Sequence, residues 1–468
     1  MRFGVKLIWI VLISICGLLQ VAPVIAQQNA TSVQVGAAQQ IPGAARVTPG
    51  GPATLSFEQA IQLAIQNNLA TLLARERRNE ARGVKQQSLA ALLPNVSGVA
   101  YQASLTENLA ALGFRPGIIP GFNSTFVGPF RNFDARVLIA QTIFDLSAIR
   151  NYQAGRAGVR VAELQEGLAR EQVASGTGLI YLEALRADAA VVAAQANVEL
   201  AQALFKLAQD QRNAGVATGV DVTRAQTRLA EQQVGLAQAQ TTSEQARLNL
   251  QRVVGLPLGS PLTLTDQLRF AEEPLPAVET AVAQAGENRR EVQVAEEQNR
   301  VSQLERQAVR AEYLPSVEFV GDYGVSGITP NNSDLPTRRV AVQVNVPIFN
   351  GGLTRGRLTA AASRQRQTEL ELASIRGQVE EDVRLALATL RTAAAQVRAA
   401  NESVTLAERE LEMARDRFKA GVGDNLEVVT AQTSLANARD DQVTALAQHN
   451  AARLNLAAAL GRAEAFRW

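Results

Sequence analysis

One stretch occurs twice in this chain, at residues 208–231 and 414–437, and it constrains the fold more than any other feature. The two copies align without a gap and share the tripeptides Ala-Gly-Val and Ala-Gln-Thr. In each copy a run of helix-forming residues precedes the glycine, Gly215 or Gly421, and a second run follows it. Glycine ends a helix in the left-handed conformation at low steric cost. We therefore interpret both copies as tips of antiparallel helical hairpins.

The hairpins belong to a larger duplication. Leu-Pro occurs at 93–94 and 314–315, and Ile-Phe occurs at 143–144 and 348–349. Each Leu-Pro ends a helical pattern and precedes β-branched residues, which are typical of strands. Each half is therefore expected to contain a helix, two strands and a long hairpin, with only the first strand loop differing in length. The helices of the hairpins are predicted at residues 147–214, 220–254, 353–420 and 426–460. The helices that open the repeats are predicted at about 57–92 and 277–313, and the strands of the second repeat at about 316–325 and 338–348.

The N-terminus is typical of an exported protein. Arg2 and Lys6 precede a short apolar block, and Ala26 occupies the position of a cleavage site. The domain prediction is a signal peptide at 1–26, a flexible lead-in at 27–54, a first repeat at 55–255, a linker at 256–275, a second repeat at 276–462 and a C-terminal tail at 463–468. No later apolar segment is long enough for a spanning helix. The chain is thus expected in the periplasm, outside the cell, or in an outer membrane as β-strands.

Composition argues against catalysis and against nucleic acid as a partner. Lys+Arg is 46 and Asp+Glu is 44, so the charges nearly balance. His449 is the only histidine and Cys16, inside the predicted signal peptide, is the only cysteine. Catalytic triads and His- or Cys-based metal sites therefore lack their parts. We predict that the protein is not an enzyme and that it has no cofactor and no metal site.

The long helices and the strands together require several copies of the chain. The helix before the first tip would span roughly 68 residues, about 100 Å at 1.5 Å per residue. Four strands cannot close a barrel, because about eight is the smallest number that does. Open strand edges are not tolerated in lipid. We expect a mainly α protein in which three chains form a 12-strand β-barrel, continued by an α-helical barrel in the periplasm.

The ordered and duplicated set of Leu-Pro, Ile-Phe and Ala-Gly-Val motifs resembles the TolC-like outer membrane efflux proteins, over about residues 55–462. The resemblance implies a homotrimer in the outer membrane of a Gram-negative-type cell, in contact with outer-membrane lipid. It also implies docking on a periplasmic adaptor (membrane fusion) protein and an inner-membrane transporter. The implied function is a passive exit duct of a tripartite efflux system.

Two carboxylates are candidates for a pore constriction. Asp221 and Glu427 occupy equivalent repeat positions, six residues after the tip glycine. Two from each of three chains would form one acidic layer, which would attract cations if it faced the lumen. The resemblance implies aperture acids at these positions and a further one where this chain has Thr430. The alternative is that both carboxylates only stabilise helix N-termini.

Two further sets of residues are candidates for contacts outside the chain. The turn residues Gly215, Val216, Gly421 and Val422 form the predicted tips, and the resemblance implies that these tips meet the adaptor.

The aromatic residues Tyr101, Phe144, Tyr323 and Phe349 lie in or beside the predicted strands. They are expected to form a girdle at the membrane interface. Packing within loops is the alternative.

Three alternative functions differ from an efflux duct in the features that they require. A duct for type I protein secretion belongs to the same family, and the sequence does not separate it from an efflux duct. A periplasmic coiled-coil spacer without a pore would not need four strands per chain. An exported hydrolase lacks its catalytic residues.

Overall fold

The computed structural model describes residues 41–48, 54–113, 125–272, 274–331, 335–420 and 422–468. The predicted signal peptide with Cys16, most of the lead-in and the tip residue Gly421 lie outside the described residues. The described residues all belong to one compact unit of the chain.

The order of helix, two strands and long hairpin occurs twice. The elements are β1 (Thr54–Leu55), α1 (Phe57–Asn67), α2 (Leu69–Ala90), β2 (Asn95–Asn108), a 3-10 turn (Leu109–Leu112), β3 (Phe126–Phe144), α3 (Leu146–Asn213), α4 (Gly219–Val254), β4 (Thr263–Leu264), α5 (Val278–Asn288), α6 (Arg290–Ala311), β5 (Ser316–Gly327), β6 (Leu335–Asn345), α7 (Leu353–Lys419) and α8 (Asn425–Ala459). The fold is therefore mainly helical, as the sequence predicted. None of the helices in the described ranges has an apolar stretch long enough to cross a membrane.

The helix that opens each repeat is broken, although the sequence predicted it to be continuous. Asn68 separates α1 from α2 with an extended backbone (φ −67°, ψ 138°). Arg289 separates α5 from α6 in the same conformation (φ −61°, ψ 123°). The two breaks are equivalent repeat positions, since 289 − 68 = 221 and the two Leu-Pro motifs are offset by 314 − 93 = 221.

The two hairpins pack side by side. The first consists of α3 and α4, and the second of α7 and α8. Leu204 of α3 belongs to the same buried apolar cluster as Leu411, Phe418, Val428 and Leu435 of the second hairpin. Most other buried positions along the long helices are alanine or valine, which lets the helices approach closely. The result is an elongated layer of paired helices.

The long strands form one antiparallel sheet in the order β2-β3-β5-β6. Residues directly opposite each other share a face. The face that carries Val137 and Tyr323 also carries the exposed side chains of Val96, Ile139, Val340, Val342 and Val344, so it is mainly apolar, with Arg338 as an exposed charge. The other face carries Asp134, Arg136 and Asp322 and is polar. In the described residues, β2 and β6 each pair with one strand only, so the sheet has two open edges.

The strand prediction for residues 338–348 is wrong at its C-terminal end. β6 ends at Asn345, and residues 346–349 continue outside the sheet. Pro347 has no N–H group to donate to a strand ladder, which accounts for the early end.

Both ends of the described chain pack against the helices. Residues 41–48, expected to be part of a flexible lead-in, make backbone hydrogen bonds to α1, α2 and α4. Their Ile41 is only 7% exposed and belongs to the main apolar core. In the C-terminal tail, Phe466 and Trp468 contact the ring of Phe57, each with centroids 5.6 Å apart.

Candidate functional site

The first hairpin reverses through a left-handed glycine. Gly215 has φ 74°, a conformation that other residues adopt only with strain. The amides of Val216 and Ala217 both donate to the carbonyl oxygen of Gln211, at 2.9 and 3.2 Å. These bonds satisfy the end of α3 and turn the chain into α4. The sequence therefore predicted the position and the cause of this tip.

Asp221 caps the start of α4. Its Oδ2 accepts hydrogen bonds from the backbone N–H of Thr218 at 2.8 Å and from Thr218 Oγ1 at 2.6 Å. The amide of Asp221 in turn donates to Thr218 Oγ1 at 3.4 Å. This is a capping box, and together with Arg224, 4.0 Å away, it holds the carboxylate at the helix N-terminus. The hydrogen bond from the Thr218 side chain lowers the pKa of the Asp221 carboxyl below its ordinary value.

The second tip is built differently. The amides of Val422 and Gly423 donate to the carbonyl oxygen of Arg417, both at 3.1 Å. A Cβ atom on Gly423 would lie 2.9 Å from Arg417 Cβ, so the close turn requires glycine there. Asp424, which corresponds to Thr218, caps α8 by accepting from the amide of Leu426 at 3.1 Å. Glu427, which corresponds to Asp221, does not form the capping box seen in α4.

Glu427 is consequently left to a surface ion pair. Its Oε2 lies 3.1 Å from Arg417 Nε, and both side chains are about half exposed. Thr430 is exposed, and its hydroxyl donates to the carbonyl oxygen of Leu426 at 2.9 Å. Asp221 and Glu427 are therefore equivalent in sequence but differ in contacts: one is a helix cap and the other is paired with an arginine. Their part in a pore constriction stays a prediction.

Two amide side chains join the tips of the two hairpins. Asn425 Nδ2 donates to the carbonyl oxygen of Asp221 at 2.9 Å. Gln211 Nε2 donates to the carbonyl oxygen of Phe418 at 3.0 Å. We call these two contacts the tip clip. These contacts were not predicted from the sequence, although a signal existed: the two copies differ here, with Gly219 where the second has Asn425.

The tips expose four apolar side chains beside their charged ones. Val216, Val220, Val422 and Leu426 are each more than half exposed. The predicted adaptor-docking residues Val216 and Val422 thus lie at the free ends of the hairpins, where a partner could reach them.

The predicted girdle residues are not on one face of the sheet. Tyr323 lies on the apolar face, and so does Phe144, which is opposite Val317. Phe349 follows β6 outside the sheet and is 88% exposed. Tyr101 differs from the expectation, because it pairs with Asp134 and therefore lies on the polar face.

The polar face carries an ion cluster that the sequence analysis missed. Arg136 is paired with Asp134 on its own strand, and its Nη1 lies 3.0 Å from Asp322 Oδ1 on β5. Ser326 Oγ donates to Asp134 Oδ2 at 2.8 Å. The cluster joins β3 to β5, the two strands that come from different repeats. Charges that alternate with apolar residues along β3 were the available signal.

The architecture consists of two long helical hairpins carried by an open sheet with one mainly apolar face. The chain matches the family model described as outer membrane efflux protein over residues 60–256 and 263–462. It therefore belongs to the outer membrane efflux protein family, whose members are outer-membrane exit ducts that extend into the periplasm.

Individual relatives agree with this assignment. The chain is 27% identical over 384 residues to the alkaline protease secretion protein AprF of Pseudomonas aeruginosa, covering 73% of this chain and 77% of that protein. It is 23% identical over 400 residues to the proteases secretion protein PrtF of Dickeya chrysanthemi, covering 83% and 84%. The structure resembles the CmeC outer membrane channel of Campylobacter jejuni with a TM-score of 0.75 and 17% identity, covering 87% and 86%. The last similarity concerns the fold.

Proposed function

We propose that three copies of this chain assemble into an exit duct across the outer membrane and the periplasm. The observation that carries the proposal is the four-stranded sheet, which has an apolar face, a polar face and two open edges. A single sheet of this kind would leave backbone groups unsatisfied in lipid. Pairing β2 of one copy with β6 of the next removes both edges and gives a closed barrel of twelve strands, four from each copy.

The dimensions of the strands support a membrane location. The four long strands contain 14, 19, 12 and 11 residues. A tilted strand needs about 9–11 residues to cross the hydrocarbon core. In the proposed barrel the apolar face contacts lipid, and the face with the Asp134–Arg136–Asp322 cluster lines the lumen.

The helices supply the periplasmic part. α3 contains 68 residues and α7 contains 67. Each would reach about 100 Å from the membrane at 1.5 Å per residue. The hairpins of three copies would form a helical barrel that continues the lumen of the strand barrel.

At the far end, the exposed valines of the tips are the proposed contact with a periplasmic adaptor, and through it with an inner-membrane transporter. The apolar surface of Val216, Val220, Val422 and Leu426 supports this role, since exposed apolar clusters of this kind mark protein contacts. Asp221, Glu427 and Thr430 stay the proposed constriction. Asp221 keeps its negative charge in the capping box because its pKa is lowered, whereas the charge of Glu427 is offset by Arg417 at 3.1 Å.

A type I protein secretion duct is the second candidate. The names of AprF and PrtF, both protease secretion proteins, favour it, whereas the family description favours efflux. Deleting the gene separates the two. Loss of a protein from the culture medium with unchanged sensitivity to toxic compounds would indicate secretion, and the reverse would indicate efflux.

The proposed assembly is tested by disulfide cross-linking between the open edges. Gly98→Cys on β2 is combined in turn with Arg338→Cys, Val340→Cys or Val342→Cys on β6, all on the same face of the sheet. One combination should give covalent dimers and trimers and no larger species. Gly98→Cys with Arg339→Cys, on the opposite face, is the matched control. Absence of any covalent oligomer in all three combinations would contradict the proposed barrel.

A further inference from the structure

The hairpins begin in two equivalent regions, here called the first root and the second root. In each root a helix break meets a long helix and the glycine that ends the return helix. Three positions correspond between them through the repeat offsets 289 − 68 = 221, 382 − 176 = 206 and 461 − 255 = 206. These positions are Asn68, Gly176 and Gly255 in the first root, and Arg289, Asp382 and Gly461 in the second.

The second root is held together by a buried ion pair. Arg289 is 7% exposed, and its Nη2 lies 3.2 Å from Asp382 Oδ2 on α7. Its Nη1 donates to the carbonyl oxygen of Ala459 at 3.4 Å, and its Nε lies 3.0 Å from Glu291 Oε2. One side chain thus connects the break between α5 and α6 with α7 and with the end of α8.

The second root is also closed by a direct backbone contact. A Cβ atom on Gly461 would lie 2.9 Å from the carbonyl carbon of Asn288 and 3.0 Å from the amide nitrogen of Arg289. The glycine that ends α8 therefore contacts the helix break directly.

The first root cannot be closed in this way. Asn68 is too short to replace arginine, and Gly176 has no side chain to accept from it. Residues 41–48, here called the strap, occupy the space instead. Ile41 lies against Gly176 so closely that a Cβ atom there would be 2.7 Å from Ile41 Cγ2. The side chain of Ile41 thus lies where a side chain at position 176, the equivalent of Asp382, would extend.

The strap also makes hydrogen bonds that connect the parts of the first root. Asn68 Nδ2 donates to the carbonyl oxygen of Pro42, and a Cβ atom on Gly255 would lie 2.4 Å from the carbonyl oxygen of Arg46. Backbone bonds run from Ala44 N to Arg252 O (2.9 Å), Ala45 N to Asn67 O (2.8 Å), Leu69 N to Gly43 O (3.3 Å) and Thr48 N to Gly255 O (2.8 Å). The strap therefore joins both sides of the first helix break to the end of α4.

We infer that the strap holds the first root together. It connects the helix break, the long helix and the end of the return helix there, as the Arg289–Asp382 pair does in the second root. Its binding surface is a groove formed by α3, the break between α1 and α2, and the end of α4. Its occupant is the segment of residues 41–48 of the same chain. The two hairpins are consequently anchored by different chemistry, one by an apolar peptide and one by charge. Each root can be loosened without the other.

A double-mutant cycle between Gly176 and Ile41 tests the inference in the full-length trimer. Gly176→Ala should displace the strap through the clash with Ile41, although alanine in a helix is intrinsically favourable over glycine. Ile41→Ala should weaken the strap by removing apolar contacts. Combining them should restore part of the loss, because the smaller side chain makes room for the new methyl group. Gly158→Ala, on the same helix with nothing within 4 Å of the added atom, is the control.

The readout is hydrogen–deuterium exchange followed by mass spectrometry. Either single variant should raise the exchange rate of the first root by about tenfold, equivalent to roughly 1.4 kcal/mol. The second root, measured in the same sample, should not change, and Gly158→Ala should change neither root. The inference would be overturned if Gly176→Ala slowed exchange as helix propensity alone predicts. It would also be overturned if both roots loosened together, or if the double variant equalled the sum of the single ones.

Discussion

Removing Arg289 should destabilise the protein more than removing its partner Asp382. Both side chains are 9% exposed, and their charged atoms lie 3.2 Å apart. At an effective dielectric constant of about 20, two unit charges at this distance attract with about 5 kcal/mol, which is offset by desolvation. Breaking a buried pair by removing one partner typically costs about 3–5 kcal/mol.

The ion pair between Arg289 and the neighbouring Glu291 is the reason why the two variants should differ in stability. Asp382→Ala leaves Arg289 paired with Glu291, so we expect a loss of about 2–3 kcal/mol, below the range for an uncompensated charge. Arg289→Ala leaves two carboxylates without their cation, so we expect about 3–5 kcal/mol. Arg289→Leu with Asp382→Leu should cost less than Arg289→Ala, since no charge of the pair is then buried.

The pH dependence provides a second check. Burial raises the pKa of the Asp382 carboxyl above its ordinary value of 3.8. The folded state therefore binds this proton more tightly than the unfolded state, and stability increases as pH falls from the raised pKa towards 3.8. Removing the guanidinium of Arg289 raises the pKa of the Asp382 carboxyl further. The deficit of Arg289→Ala should thus shrink under mildly acidic conditions.

Urea unfolding in detergent, followed by far-UV circular dichroism, measures these free energies. Arg384→Ala on the same helix is the matched control, because its ion pair with Glu380 is exposed and is worth at most about 1 kcal/mol. The reasoning is refuted if Arg289→Ala costs no more than Arg384→Ala, or if Asp382→Ala costs more than Arg289→Ala.

Three further predictions concern the tips and the sheet. Asp221→Ala and Thr218→Ala should each lower the stability of the first turn of α4 by about 1 kcal/mol, measured by hydrogen exchange. Because the pKa of Asp221 is lowered, its contribution to the stability of α4 is present above 3.8, the ordinary value, and should be lost as pH falls further. An equal loss of protection in Asp221→Ala, relative to the wild type, at both pH extremes would contradict this. Asn425→Ala should weaken the contact between the hairpin tips by about 1 kcal/mol, raising exchange at both tips rather than one. Arg136→Ala should lower the melting temperature of the trimer, whereas its combination with Asp134→Asn should recover part of the loss; an unchanged melting temperature for the single variant would contradict the role of the cluster.

The sequence predicted the long helices closely. The bounds of α3, α4, α7 and α8 each lie within one residue of the predicted ones. Local chemistry determines these ends. The left-handed Gly215 directly follows the C-cap of α3, and Gly255, with φ 79°, caps the end of α4. Such signals are contained in a few neighbouring residues, so a reading of one chain recovers them.

The breaks at Asn68 and Arg289 were not predicted from the sequence, which was interpreted as one continuous helix at each place. Neither position carries proline or glycine, and the helical pattern runs through both of them. Asn68 caps α2 locally by accepting from the amide of Ala70 at 2.9 Å, whereas Arg289 makes no side-chain capping bond. Both residues also make tertiary contacts, Asn68 with Pro42 of the strap and Arg289 with Asp382. These partners are distant in sequence, so local propensity does not indicate them.

The candidate site was likewise predicted only in part: positions were predicted, but contacts were not. The repeat correctly located the turn residues of the first tip and placed Asp221 and Glu427 at equivalent positions. It did not indicate that one would become a capping residue and the other an ion-pair partner, because that depends on Thr218 and Arg417. Equivalence within a duplicated sequence fixes the position of a side chain more reliably than its contacts.

The central claim, that the assembled chain is a duct, is tested most directly by single-channel conductance in a planar bilayer. The detergent-extracted trimer is measured beside a variant with Gln211→Ala and Asn425→Ala, which removes the tip clip, and beside Asp221→Asn/Glu427→Gln. The account predicts a conducting pore, with larger conductance when the clip is removed and weaker cation selectivity in the carboxylate variant. Folded trimers that conduct neither with nor without the tip clip would contradict it.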